Sequence, residues 1–313
     1  FKGQNMSLNS VVTFEGAEIG RAQWAQAVAA GVEPEAAMNP VLLKPTSDQR
    51  SQVVVMGRPW RTLDAKAFHA VKPELISVVL QALSDLRRRF DVVVCEGAGS
   101  PAEINLFDND LVNLGLARLA GIPAVLVGDI DRGGVFAHLY GTVALLPEDL
   151  RRQVRAFVLN KFRGDPSLIG SATTDLQART GIPTVGIMPW LGDVSLDAED
   201  SLALDGATTM TSRRYAEGTS SGTERSSGTE RSRTEPIDVA VVRFPRVSNF
   251  TDLDPLVLEP GVIVRWIDAP PALGDPDLVV LPGTKSTVED LRWLRRSGLA
   301  GKIARSSAAP EGP

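Results

Sequence analysis

The chain's single cysteine lies beside an acidic, glycine-rich turn, in the stretch VVVCEGAGSPAEINL of residues 92–106. Glu96 therefore follows a short apolar run, and an acidic residue in that position can hold Mg²⁺ on a bound nucleotide. Gly97 and Gly99 would let the backbone approach a phosphate closely. An ordinary loop acid on a simple turn would have the same sequence, so this motif alone leaves both interpretations open.

The cysteine itself, Cys95, is interpreted as a small core residue rather than a nucleophile. A nucleophilic cysteine needs a base, commonly histidine, and the chain contains only His69 and His138. Neither lies in a recognisable cysteine–histidine motif, and both fall in predicted helices beside apolar residues. We therefore predict structural or surface roles for the two histidines and assign the chemistry to Glu96.

Four other polar clusters could contact a nucleotide or a substrate. They are FKGQNMSLNS (1–10), KPTSDQRSQVV (44–54), GDIDRGG (128–134) and NKFRGD (160–165). Lys2 could meet a phosphate or a carboxylate as a point charge, and the Asn160–Lys161 pair resembles base-recognition loops of nucleotide-binding proteins. Each cluster alone could be a polar loop. The coincidence of three polar clusters at strand ends on one predicted sheet edge favours a nucleotide and substrate cleft.

These clusters need a framework of alternating strands and helices. Residues 73–90 have apolar residues at helical spacing and predict an amphipathic helix. Further helices are predicted over 111–120 (ending at Gly121), after Gly134 and before residue 181. Apolar runs predict buried strands at 92–95, 123–129, 155–162 and 184–190. The alternation predicts an α/β fold with a mainly parallel sheet.

The polar segment 206–236 contains SGTERS twice in tandem and is predicted to be a flexible linker. After it, apolar runs predict strands at 238–244, 262–268 and 277–283 and a helix over 286–298, capped by Ser286 or Thr287. Three strands and a helix make a poor independent domain, so residues 237–313 are interpreted as the first part of a second α/β domain.

Composition excludes several classes of protein. The chain has 313 residues, enough for two domains, and its net charge of −5 argues against a nucleic-acid-binding surface. No apolar run approaches the roughly 18 residues of a membrane helix. A single cysteine excludes an internal disulfide, and we expect a cytoplasmic protein. The first residue is Phe1, so the true N-terminus is expected elsewhere.

The motifs together resemble the cobyric acid synthase family, the glutamine-dependent amidotransferases of cobalamin biosynthesis. The resemblance covers nearly the whole chain except 206–236, and EGAGSPAEINL together with GDIDRGG is hard to place in another family. The matching stretches are FKGQNMS, EIGRAQ, MNPVLLKPTSD, RSQVVVMG, CEGAGSPAEINL, GDIDRGGVFAHLYGT, NKFRGD, GIMPW, SNFTDLDPL and LVVLPGTKST.

The resemblance implies a dethiobiotin-synthetase-like, P-loop NTPase-type domain at 1–205, which would bind ATP and a corrinoid. A class I glutamine amidotransferase domain would begin at 237. The implied reaction amidates peripheral carboxylates of adenosylcobyrinic acid a,c-diamide to give adenosylcobyric acid, with ATP, Mg²⁺ and glutamine. Membrane and nucleic-acid partners are not expected.

The resemblance also suggests residue roles. Glu96 would hold the metal, and Lys2, Gly97, Asn160 and Lys161 would contact ATP. Backbone amides at Gly283 and Thr284 would contribute to an oxyanion hole. The implied substrate residues are Gln4, Asn5, Ser7, Lys44, Ser47, Asp48, Arg50, Asn105, Asp129, Asp131 and Arg132.

The family's phosphate loop and its glutaminase cysteine and histidine have no counterpart in the sequence, so we expect an inactive fragment of an active enzyme. Three alternatives stay open. The first is cobyrinic acid a,c-diamide synthase, which FKGQNMS and PAEINL disfavour. The second is a nucleotide-binding switch of the partition-ATPase type, which the region from 237 disfavours. The third is a scaffold that has lost both active sites.

Overall fold

The computed structural model describes residues 1–47, 49–105, 107, 110–191, 209–211 and 236–307. The strands in them are β1 (Gln4–Met6), β2 (Ser10–Val12), β3 (Glu18–Gly20), β4 (Val41–Pro45), β5 (Arg50–Val55), β6 (Arg58–Asp64), β7 (Ala124–Asp129), β8 (Val154–Phe162), β9 (Thr184–Pro189), β10 (Thr209–Thr211), β11 (Ile237–Val242), β12 (Val262–Ile267) and β13 (Leu278–Val280).

The α-helices are α1 (Arg21–Ala29), α2 (Ala65–Arg89), α3 (Leu114–Ala120), α4 (Val135–Leu145), α5 (Glu148–Arg151), α6 (Ala172–Thr180), α7 (Asp254–Leu258), α8 (Pro270–Leu273), α9 (Thr287–Arg296) and α10 (Leu299–Ser307). None of the helices in the described part of the chain is long and apolar enough to span a membrane.

The strands form three main sheets. In the order β1-β4-β5-β6, the first pair is parallel and the others are antiparallel. The sheet β7-β8-β9 is entirely parallel. In the order β10-β12-β11-β13, β11 runs parallel to both neighbours and β10 is an antiparallel edge strand. The predicted α/β fold with parallel sheets is confirmed.

Helix α2 begins eight residues earlier than the sequence predicts. Asp64 caps it, because its carboxylate accepts a hydrogen bond of 2.8 Å from the Ala67 amide. Pro73, which was expected near the start, lies inside the helix. The buried face repeats every three or four residues and consists of Phe68, Lys72, Leu75, Val79, Ala82, Leu83 and Leu86.

The prediction of a buried strand at 92–95 is wrong. This segment forms no regular strand, and Val92 and Val94 are exposed. Phe1 provides backbone pairing: its ammonium donates to the Val94 carbonyl, and its own carbonyl accepts from the Glu96 amide, both at 2.8 Å. The outward side chains of 92–95 and of β7 instead line a groove of about 650 Å³.

The region from residue 236 has its own core. Strand β11 is buried along its length except at Ile237, and it packs with residues of β12, α9 and α10. The three strands predicted here are confirmed: β11 and β12 lie close to the predicted bounds, and β13 covers three of the seven predicted residues. Most of the predicted linker 206–236 lies outside the described residues. At Thr209–Thr211 the structure differs from that prediction, because these residues form β10.

Candidate functional site

Glu96 of the CEGAGS motif lies next to Lys2 of the FKGQNMS motif. The Lys2 ammonium is 3.2 Å from one Glu96 oxygen, and the Gln26 side-chain amide donates to the other at 2.7 Å. The pairing of Phe1 with Val94 and Glu96 places Lys2 there, and Lys2 is only 4% exposed. Glu96 remains partly exposed, so a ligand could reach its carboxylate. The predicted phosphate lysine therefore contacts the predicted metal ligand.

The loop after Glu96 is closed by an asparagine. Asn113 accepts a hydrogen bond from the Ala98 amide at 3.0 Å and donates to the Ala98 carbonyl at 2.8 Å. A Cβ atom on Gly97 would come within 2.3 Å of the Asn113 side-chain oxygen. Gly97 thus has a packing reason to be glycine, beside its predicted contact with ATP. Asn105 is exposed further along the loop.

Cys95 is partly buried and packs against the core between α2 and the first sheet. Burial raises the pKa of its thiol, which opposes formation of a thiolate. His69 and His138 are exposed and distant in sequence from Cys95. This environment is consistent with the packing role expected for Cys95.

The parallel pairing of β7 with β8 brings Asp129 opposite Asn160. Lys161 has a left-handed backbone (φ 61°), and its ammonium donates to the Asp129 carboxylate at 2.8 Å. The hydrogen bond from Lys161 lowers the pKa of Asp129. Asp129, which was predicted to contact the substrate, and Lys161, which was predicted to contact ATP, are thus paired with each other in this structure. Arg132 is within 3.7 Å of Asp129 and exposed.

An aromatic residue that the sequence analysis did not single out completes this edge. The Arg163 guanidinium lies 3.6 Å from the Trp190 ring centroid and 3.2 Å from an Asp131 oxygen. Lys161 also lies over the same ring, at 6.0 Å. Trp190 ends the GIMPW motif directly after β9, and that position after a strand is the signal that could have identified it. An exposed aromatic beside Asn160 and Lys161 suits a stacked base.

The clusters 1–10 and 44–54 meet, because β1 runs parallel to β4. The Lys44 ammonium contacts the Glu18 carboxylate and donates to the Ser10 hydroxyl at 2.8 Å. Burial acts to raise the pKa of Glu18, but hydrogen bonds from Lys44 and Ser10 outweigh burial and leave it lowered. Lys44 is buried, so in this arrangement it organises the site rather than facing solvent.

The other predicted substrate residues differ in accessibility. Asn5 is buried and donates to Gln23 at 2.9 Å, and Ser7 is buried and hydrogen-bonds within its own turn. Arg50 is exposed and donates to the Thr62 carbonyl at 3.1 Å. Gln4 is partly buried and Ser47 is exposed. Asp48 lies outside the described residues. Gln23 contributes one buried amide nitrogen without a hydrogen-bond partner among the described residues.

Hydrogen bonds between described residues connect this cluster to the region from residue 236. Two of them join the SNFTD motif to the first motif of the chain: Asn249 accepts from the Ser10 amide at 3.0 Å, and Thr251 donates to Asn9 at 3.1 Å. Two more come from the TKS turn. They are Lys285 to Gln52 at 2.5 Å and Ser286 to the Thr46 carbonyl at 2.6 Å.

Ser286 lies at the predicted start of α9. Ser286 is thus the N-cap residue of the helix, as predicted, but its hydroxyl donates to the Thr46 carbonyl and makes no capping hydrogen bond. The position serves the contact between the two regions instead.

Hydrogen bonds within the region from residue 236 fix the turn at Gly283 and Thr284. The Thr284 hydroxyl contacts the buried Asp290 carboxylate and the Arg246 carbonyl, and the Gly283 carbonyl accepts from the Ser248 amide at 3.0 Å. The next residues, Lys285 and Ser286, reach the other region. The candidate oxyanion turn is thus fixed between Asp290 and the polar cluster of the first sheet.

No cluster of three or more His, Cys, Asp or Glu side chains suited to a metal occurs among the described residues. Glu96 offers one partly exposed carboxylate, whose oxygens are hard ligands for a metal ion. Mg²⁺ bound to a nucleotide commonly takes only one or two carboxylates, with phosphate and water oxygens as its other ligands. The donor set at Glu96 therefore fits a metal held jointly with phosphates, and does not fit a site made of protein ligands alone.

Two family models match the chain. The family model described as an AAA domain matches residues 23–197, which is more than half of the chain. The chain belongs to the AAA domain family. A second family model, the CobB/CobQ-like glutamine amidotransferase domain, matches residues 238–311. The AAA domain thus carries Lys44, Glu96 and Lys161, and the amidotransferase match carries Gly283.

Curated relatives extend over almost the whole chain. The chain is 53% identical to the cobyric acid synthase of Frankia casuarinae, over 99% of this chain and 60% of the relative. It is 52% identical to that of Rhodococcus jostii, over 97% and 56%, and 47% identical to that of Salmonella choleraesuis, over 98% and 56%. The predicted resemblance to cobyric acid synthases is confirmed. The chain spans little more than half the length of these relatives.

Proposed function

We propose that this chain forms part of a cobalamin-biosynthetic amide ligase, which uses ATP and glutamine to amidate peripheral carboxylates of adenosylcobyrinic acid a,c-diamide. The product is adenosylcobyric acid. The observation that carries the proposal is that Lys285 and Ser286, directly after the Gly283–Thr284 turn, donate hydrogen bonds to Gln52 and to the Thr46 carbonyl in the AAA domain. A glutaminase and a carboxylate-activating site need such proximity, because ammonia released at one must be used at the other.

The amidation would proceed in two steps. A substrate carboxylate oxygen attacks the γ-phosphorus of ATP, and ADP leaves with the electron pair of the broken P–O bond, which gives an acyl phosphate. Ammonia then attacks the carbonyl carbon, phosphate leaves with its bonding pair, and the nitrogen loses a proton to give the amide. Phosphorylation is needed because a carboxylate oxygen is a poor leaving group.

Residues beside the first sheet and at the end of the sheet β7-β8-β9 would act on the nucleotide. Glu96 would hold Mg²⁺ on the phosphates, and the ion would offset phosphate charge during transfer. Lys2 would direct its ammonium towards the phosphate or the reacting carboxylate. Asn160, Lys161 and Trp190 would border the base.

The substrate carboxylates would meet the polar groups of 2–10 and 44–52, with Arg132 and Asp131 at the neighbouring edge. Gly283 and Thr284 would stabilise the oxyanion formed when glutamine is hydrolysed. The hydrogen bonds of Lys285 and Ser286 support this role, because they make the position of that turn depend on the AAA domain.

The test is made on a protein of the relatives' full length that contains this sequence. We expect glutamate release to rise when ATP and adenosylcobyrinic acid a,c-diamide are added together, with amidated corrinoid detected by mass spectrometry. Glu96→Gln should reduce amidation at least a hundredfold, whereas Glu74→Gln, an exposed helix residue, should not. Tight ATP binding without amidation of any corrinoid would contradict the proposal.

A non-catalytic nucleotide switch is the principal rival. The amidotransferase match at 238–311 supports the ligase instead, since a switch has no need for such a region. Cobyrinic acid a,c-diamide synthase would act on other carboxylates of the same ring. The mass and position of the new amides separate these two enzymes.

A further inference from the structure

Lys72 is a charged residue on the buried face of a helix. It lies four residues after Phe68 and three before Leu75 in α2, so it occupies a position in the apolar stripe. It is 8% exposed. The sequence could have indicated it, because a lysine that interrupts an apolar stripe at helical spacing is unusual. The proposed roles of the other polar clusters do not involve it.

The ammonium of Lys72 has no hydrogen bond and no ion pair with any residue in the described part of the chain. Its nearest aromatic contact is the Phe68 ring, 5.8 Å away. Asp110 is the nearby acid, but its carboxylate accepts hydrogen bonds from the amides of Val112, Asn113 and Gly115. The side chain is largely buried, but its ammonium keeps some contact with the open space of a neighbouring cavity, so an anionic ligand could reach it and pair with it.

Lys72 lines a cavity of about 330 Å³ between α2 and strands β4, β5 and β6. Its walls are largely apolar, and they include Leu43, Val53 and Leu63. Arg50 and His69 are exposed lining residues and mark the side open to solvent. The volume suits a short acyl chain. The cavity is thus an apolar slot with one cation inside.

The charges around Lys72 favour a monoanion. Burial lowers the pKa of Lys72, and Asp110 opposes this effect. At the rim, Arg50 donates to the Thr62 carbonyl and Asp64 caps α2, and the opposite charges of these two lining residues offset each other. A phosphate would need several donors to match its charge, whereas one ammonium and apolar walls match a carboxylate on a hydrocarbon stem.

We propose that this cavity is a carboxylate-binding subsite, in which Lys72 pairs with the end of one carboxylate-bearing arm of the corrinoid; this assignment rests on the proposed function. Ser47 and Arg50, which the sequence analysis assigned to the substrate, also line the cavity. The arm would enter past them and bury its methylene groups against the walls. Lys72 is a binding residue here and takes no part in the chemical step.

The test uses the chain with ¹³Cε-labelled lysine. The chain has seven lysines, so the spectrum can be resolved, and Lys72→Met assigns the signal. Sodium propionate is titrated at constant ionic strength, with propionamide and inorganic phosphate as parallel probes. We expect propionate to move the Lys72 signal saturably, with a Kd on the order of millimolar for so small a ligand. Lys66, exposed on the same helix, should not respond.

A Lys72 signal that ignores propionate, or that responds equally to propionamide or phosphate, would overturn the subsite whatever the protein's function. Adenosylcobyrinic acid a,c-diamide is then added to the propionate-bound chain. Its displacement of propionate supports the assignment. Corrinoid that binds without displacing propionate overturns it. A corrinoid that does not bind at all contradicts the proposed function, and the propionate titration still decides whether Lys72 binds carboxylates.

Variants separate binding from folding. Lys72→Met removes an unpaired buried charge at similar length, so we expect an unchanged or higher melting temperature together with at least tenfold weaker corrinoid binding. Lys66→Met is the matched control and should change neither. A Lys72→Met chain that melts lower, or that binds the corrinoid as tightly as wild type, contradicts the proposal.

Discussion

Strand β11 and the segment 92–95 both contain a run of valines, yet the two runs have opposite environments. Ile237–Val242 has the sequence IDVAVV, and residues 92–95 have the sequence VVVC. Val241 is fully buried, with strands on both sides. Val94 is 77% exposed, and Phe1 provides its backbone pairing. An apolar run therefore becomes a buried strand only where neighbouring strands and covering helices exist.

The same contrast extends to the neighbouring strand of the AAA domain. Val125 and Val127 in β7 are exposed towards the groove that Val94 lines, although β7 pairs with β8 along its other edge. In the amidotransferase-like region, Val264 of β12 is fully buried. The two regions thus differ in how completely their parallel strands are covered.

The largest predicted effect is at the centre of the covered sheet. Val241→Asp places a carboxylate where no partner exists, and we expect a loss of about 4 kcal/mol or more in the free energy of unfolding. Urea unfolding followed by tryptophan fluorescence measures it, and Trp266 and Trp293 are the two of the chain's five tryptophans that lie in this region. A loss under about 1 kcal/mol would show that the region is not packed as described.

A second effect concerns ion pairs. Arg265 forms two hydrogen bonds with Asp238, at 2.7 and 2.9 Å, and donates to the carbonyls of Ala272 and Leu273. Both side chains are largely buried. Arg265→Met leaves a buried carboxylate unpaired and should cost about 2–3 kcal/mol by the same unfolding measurement. An unchanged midpoint would contradict this.

Lys161→Met is the matched variant in the AAA domain. It breaks an exposed pair with Asp129, and exposed pairs contribute little to stability. Equal destabilisation by Arg265→Met and Lys161→Met would remove the distinction between the two regions.

A third effect depends on pH at the junction of the regions. The pKa of Glu18 is lowered, so its pairing stabilises the fold above the ordinary glutamate pKa of about 4.3 and is lost as pH falls through the lower folded value. We expect Glu18→Gln to lose on the order of 1 kcal/mol at pH 7 and progressively less as the pH falls below the ordinary glutamate pKa. Unfolding free energies across that range test the sign, and a loss that grows in acid would contradict it.

The smallest effect is the counterpart of the first. Val94→Asp puts the carboxylate into solvent, so the unfolding free energy should change by less than about 0.5 kcal/mol. Val94 and Val241 are both valines in apolar runs, which makes them matched sites. A large loss at Val94 would mean that the segment 92–95 is covered in solution.

Sequence patterns predicted the alternation of strands and helices, because buried parallel strands and amphipathic helices have distinct periods. They predicted the α3 end at Gly121, which has a left-handed backbone that glycine adopts freely. They did not predict the exposure of Val94, since burial depends on partners far away in sequence. The apolar spacing predicted helix α2 only from residue 73, but the Asp64 cap and Phe68 extend it upstream.

The sequence indicated which residues form the candidate site, but not which of them contact each other. The motifs indicated Lys2, Glu96, Asp129 and Lys161 as chemical residues. Which of them contact each other depends on strand register, and a single sequence does not contain that information. Lys285 and Trp190 were missed as contributors for the same reason: each acts through a neighbour on another element.

The most direct test of the proposed function is equilibrium binding of adenosylcobyrinic acid a,c-diamide to this chain, compared with adenosylcobyric acid. The diamide has more free carboxylates, so it should meet more of the polar groups at 2–10, 44–52 and Lys72. We predict saturable binding that is at least tenfold tighter for the diamide. Equal affinity for the two corrinoids, or no binding of the diamide, would contradict the account.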